Sequence, residues 1–79
     1  MYKEEMEALM EILGNREMYA TDIVKTLHPE WKGFGRQEWV RNLNKTNRSL
    51  RTMEKYGYVE RTHLTKTYGK YERAWRVKA

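Results

Sequence analysis

Ser49-Leu50-Arg51-Thr52-Met53-Glu54-Lys55-Tyr56-Gly57-Tyr58-Val59-Glu60-Arg61 is the stretch in which the apolar period of the chain changes. Upstream of Gly57, Leu50 and Met53 continue a stripe that begins at Trp39 and Leu43 and holds Thr46 within it. Those steps are the mark of a helix with one buried face. Downstream, Tyr58-Val59-Glu60-Arg61-Thr62-His63 is rich in β-branched and aromatic residues and reads as a strand. Gly57 stands at the junction, where a residue that accepts left-handed backbone geometry commonly closes a helix. The spacing predicts a helix over 36–56 that passes directly into sheet.

Towards the C-terminus, Tyr71-Glu72-Arg73-Ala74-Trp75-Arg76-Val77 reads as a returning strand, with Tyr71, Trp75 and Val77 on one face. Residues 64–70 contain the turn, around Tyr68-Gly69-Lys70. Two such strands make a hairpin, and a lone hairpin is marginal in water, so this one must pack on helices. Towards the N-terminus, residues 2–13 read as a helix, with Met6, Leu9, Met10 and Leu13 on its apolar stripe and Gly14-Asn15 at its end. Met18-Tyr19-Ala20 reads as extended and is a candidate short third strand. Thr21 is placed to cap a second helix, with Asp22 in the first turn and Ile23, Val24 and Leu27 on its apolar face. That helix stops near His28, because Pro29 disfavours helical geometry in the residue before it. Residues 29–35 form a loop or irregular turn, with Trp31 and Phe34 expected against the core and Trp39 and Trp75 within it.

The 79 residues are enough for one domain, 1–79, and no cysteine is present. A disulfide framework and a thiolate nucleophile are excluded. His28 and His63 lack ligand spacing, and a metal site at His28 and Glu30 lacks further ligands. Gly33-Phe34-Gly35 does not have the glycine spacing of a nucleotide-binding loop. No serine pairs locally with a histidine in a hydrolase motif, so neither enzyme activity nor a cofactor is expected. No apolar run spans a membrane, and the acidic start of the chain does not resemble a secretion signal, so the expected location is cytoplasmic.

Charge is divided along the chain. Residues 1–35 hold four Lys/Arg against seven acids, and residues 36–79 hold twelve against four, which together give the net +5. An acidic front half and a strongly basic back half suggest a face for a polyanion.

Helix, short extended piece, helix, long helix and hairpin is the order of elements in a winged helix-turn-helix. Tyr19-Ala20-Thr21-Asp22-Ile23-Val24-Lys25-Thr26-Leu27 resembles the first helix of the helix-turn-helix in that superfamily. The segment from Ser49 to Arg61 resembles the end of the recognition helix and the start of the wing in bacterial and archaeal winged-helix regulators. There a Leu, a second apolar residue three on, a Gly, two apolar residues and an Arg recur in that order. The resemblance implies an α+β winged helix of three helices and a C-terminal two-stranded wing. It also implies sequence-specific binding of double-stranded DNA, transcriptional regulation and in many cases a homodimer. The chain departs from the pattern in one respect. Leu27 and Leu50 are separated by roughly a dozen more residues than the usual tight turn and short helix require. Either the connecting loop is long or the recognition helix begins early.

Stepping 100° per residue from Trp39, Leu43, Thr46, Leu50 and Met53 fall within about 40°. Arg41 and Arg48 lie about opposite, flanked by Asn44, Lys45, Thr52 and Lys55. Arg bonds two acceptors on guanine, Asn does the same on adenine, and Lys or Thr holds phosphate. A helix face built for solubility usually alternates signs, whereas Arg41, Lys45, Arg48 and Arg51 repel one another unless a phosphate partner is present. The expected DNA contacts on this helix are Arg41, Asn44, Lys45 and Arg48, with Arg51 and Thr52 secondary. Arg36, at the start of the helix, is a further phosphate candidate. Lys66, Tyr68 and Lys70 are candidates in the wing, for the backbone or minor groove. The alternatives are a protein-docking winged helix with an acidic partner, an RNA-binding module, or a plain solvated face.

Overall fold

The computed structural model describes residues 3–67 and 69–78, with side chains at all of these except 65–67 and 70. Three helices lead into an antiparallel hairpin, an α+β order consistent with a winged-helix layout. They are α1 (Lys3–Leu13), α2 (Ala20–Leu27) and α3 (Arg36–Lys55), followed by β1 (Val59–Thr67) and β2 (Lys70–Val77). Among the described residues no helix is long and apolar enough to cross a membrane.

The junction predicted at Gly57 is built as the residue pattern requires. Gly57 takes φ +83°. Its N–H donates to the Glu54 carbonyl at 3.0 Å, and the Tyr58 N–H donates to the Met53 carbonyl at 3.0 Å. This pair of bonds is the Schellman closure, which satisfies helix carbonyls that would otherwise lack partners. The strand then starts without a linker, and the Lys78 N–H returns to the Tyr58 carbonyl at 3.0 Å.

The apolar stripes converge on one core. Leu9 and Leu13 of α1, Ile23 of α2, Leu50 and Met53 of α3, Val59 of β1 and Trp75 of β2 are all buried and packed together. Met6, Met10 and Leu27 pack on its margin. Ser49, 7% exposed, donates its hydroxyl to Glu5 Oε1 at 2.6 Å and so ties α3 to α1. Arg76 joins the hairpin to the α1–α2 connection by bonding Glu60 at 3.0 Å and Glu17 at 3.2 Å. The hydrogen bond and charge of Glu60, helped by Glu17, raise the Arg76 pKa above its usual value.

Several expectations are corrected. The third strand contracts to one residue: Met18 exchanges two backbone bonds with Trp75, at 3.0 and 2.8 Å. The chain turns immediately afterwards, so α2 starts at Ala20, with Tyr19 rather than Thr21 at the cap position and no side-chain cap bond. The loop at 29–35 contains one turn of 3-10 helix, Trp31–Gly33. Trp31, Phe34 and Trp39 are half-buried and outside the main core. Tyr71 lies on β2 two turns of the pleat from Trp75, where the sheet has passed the edge of the core, and is 65% exposed.

The hairpin ladder is longer than predicted, reaching Thr67 on one side and starting again at Lys70. Residues 64–67 are therefore strand, as the β-branched Thr65 and Thr67 favour. Arg61 pairs with Trp75, but the next pairing is Leu64 with Arg73. Thr62 and His63 thus stand opposite Ala74 alone, a β-bulge. The Ala74 N–H, at a residue 8% exposed, donates to the Thr62 hydroxyl at 3.2 Å. Thr62→Val keeps the branched shape and removes the acceptor. It is expected to cost about 1–3 kcal/mol, the penalty for stranding a buried donor. A thermal melt indistinguishable from wild type would show that the amide finds another partner.

Candidate nucleic-acid interface

The burial of one face of α3 turns the opposite face outward. Thr46, Ser49, Leu50 and Met53 are buried, whereas Arg36, Arg41, Asn44, Lys45, Arg48, Arg51 and Lys55 are exposed. Asn44, Asn47, Arg48, Arg51, Thr52 and Lys55 line one shallow open groove along the helix. They follow each other at steps of three, one, three, one and three, which is one continuous strip of helix surface.

The electrostatics of this strip depend on where the nearby acids go. Glu54, on the same helix, is drawn aside by the Arg61 guanidinium of β1 at 2.9 Å. Glu60 and Glu17 are taken by Arg76. Among the described residues no carboxylate lies within ion-pairing distance of Arg41, Lys45, Arg48, Arg51 or Lys55. The cations thus repel each other in the free protein, and an incoming phosphate would relieve that repulsion with release of its counterions.

Each expected site residue has a definite place. Asn44, Arg48 and Arg51 share the groove. Arg41 continues the row one turn nearer the N-terminus, and Lys45 stands on its flank. Thr52 is half-buried and spends its hydroxyl proton on the Arg48 carbonyl at 3.0 Å, which leaves it only an acceptor and makes it a poor phosphate ligand. Arg36 is not brought into the row. It opens α3 after Gly35, about 22 Å along the axis from Arg51. The backbones of Lys66 and Lys70 belong to the two strands, facing Tyr71 and Thr67 respectively in the ladder. Their side chains lie outside the described residues, as does all of Tyr68.

No known protein family, characterised protein or solved structure matches the chain.

Three residues join the interface that the sequence reading did not assign to it. Lys55 lines the groove, and its position on the wheel already placed it beside Arg48. Asn47 lines the same groove and also a neighbouring cleft, where α3 meets the start of α2 and Arg73 of β2. Arg73 is exposed and has no ion-pair partner among the described residues. Only the three-dimensional approach of β2 to α3 identifies Arg73, because nothing in the spacing of the strand marks it.

Proposed function

We propose that this chain is a winged-helix module that binds double-stranded DNA and regulates transcription, of the type found in bacterial and archaeal regulators. The observation that carries the reading is the unpaired row Arg41, Arg48 and Arg51, with Asn44, Lys45 and Lys55 beside it, on the outer face of a helix anchored by its inner one. In this reading α3 enters the major groove. Arg41, Asn44 and Arg48 face base edges, while Lys45, Arg51 and Lys55 hold phosphates. The hairpin, including the segment 64–70, follows the backbone or the minor groove. A regulator of the bacterial or archaeal type would act in the cytoplasm. Two copies on two half-sites would lie one helical turn apart or a multiple of it.

The test is selection from random duplexes with the full chain, followed by titration of the enriched sequence at several salt concentrations. The expected result is a defined consensus whose affinity falls with salt at a log–log slope of about −4 to −6, one unit for nearly every phosphate contact. A matched RNA duplex should compete poorly, because the A-form major groove is too narrow for a helix. Failure to shift any duplex at low salt would end the reading.

A further inference from the structure

Three of the four Trp and Phe side chains of the protein stand apart from the main core, in one surface cluster. The Trp31 and Trp39 rings meet with centroids 6.1 Å apart. The Lys25 ammonium lies 4.5 Å from the centre of the Trp31 ring, and that of Lys32 lies 5.8 Å from it. With Phe34 these residues line a shallow groove where α2, the 3-10 turn and the start of α3 converge. None of the lining residues is acidic.

A tryptophan that merely fastens a loop is usually covered by what it fastens. Here Trp31, Phe34 and Trp39 all keep part of their surface in water, and two ammonium groups lie over the Trp31 ring. Half-exposed tryptophan set in a concave surface is the residue type that anchors protein interfaces. Cations at the rim of such a patch select and steer an acidic partner. The groove also faces away from the cationic row, since Trp39 lies about 160° around the helix from Arg41.

We infer that this groove docks an acidic segment of a partner protein, with one apolar side chain seated on Trp31 and Trp39 and its carboxylates on Lys25 and Lys32. The site shares no residue with the outer row of α3, and it stands whether or not that row binds DNA.

The test selects peptides from a random phage-displayed library on the full chain and measures the enriched sequences by fluorescence anisotropy. The expected consensus is one aromatic or aliphatic anchor flanked by Asp and Glu. Affinity should fall at least tenfold in the double variant Lys25→Glu with Lys32→Glu, and at least tenfold in Trp31→Ala. Circular dichroism checks that each is folded, and the lysine variant carries the test if Trp31→Ala is not. Enriched peptides without acidic residues, or peptides that bind the folded variants as tightly as wild type, would overturn the inference. Folded Trp31→Ala should bind duplex DNA within twofold of wild type. A tenfold loss there would assign the groove to nucleic acid and overturn it equally.

Discussion

Replacing Arg41 and Arg48 together with glutamate is expected to abolish duplex binding and leave the fold intact. Both residues are exposed on α3, and neither bonds a carboxylate among the described residues. Stability therefore has little to lose, and glutamate is nearly as good a helix former as arginine. At position 41 it gains Lys45 one turn on as a partner. Binding has much to lose, because each arginine contact to a base edge contributes about 1–3 kcal/mol and each reversal also adds repulsion from the phosphates. Two such losses correspond to roughly 30-fold to 10⁴-fold in affinity. The formal net charge falls from +5 to +1, so a matched control is required. Lys3→Glu with Lys78→Glu makes the same change in charge at two exposed positions away from α3. The α3 variant should lose binding with a melting temperature within a few degrees of wild type, while the control retains most of its affinity. Equal losses in the two would reduce the effect to overall charge.

Trp75→Ala is expected to unfold most of the protein at room temperature or to lower its melting temperature severely. Trp75 is 4% exposed and packs with Leu9, Leu13, Ile23, Leu50, Met53 and Val59. The Arg61 guanidinium lies 5.7 Å from the centre of the ring. Truncating a buried aromatic costs about 3–5 kcal/mol. A domain of this length has about 4–12 kcal/mol in all. At about 4–8 °C for each kcal/mol, the loss amounts to some 12–40 °C. A melt by circular dichroism within a few degrees of wild type would show that the neighbouring side chains collapse into the space and that the ring does not hold the core.

The two variants probe opposite faces of one pattern, and that pattern was legible in the residues. The 3–4 spacing of Leu43, Thr46, Leu50 and Met53 defines the inward side of α3, and the position of Arg41, Asn44 and Arg48 outside it follows by rotation alone. Gly57 marks the end of the helix for the same local reason. The rest depends on contacts that no local spacing encodes. Thr21 loses its expected cap role because Met18 pairs with Trp75, more than fifty residues away in sequence, and so ends the extended run early. Trp39 sits at the angle of a core residue, but α3 extends beyond the core at that end, and Trp31 covers it instead. The length of the hairpin was hidden because the bulge at Thr62–His63 shifts the alternation of β1 by one residue. Arg73 and Asn47 come together only when β2 approaches α3.

The closure at Gly57 bears on how the molecule meets a target. The three amides that follow α3 are all committed to its last carbonyls, and the Tyr58 carbonyl in turn receives the amide of Lys78 at the far side of the hairpin. No slack residue separates the long rod from the ribbon, so they turn as a single lever with a preset opening. On the proposed reading, adjustment during docking falls to the nucleic acid. Sequences that bend or widen easily would be preferred even at base pairs that no side chain touches.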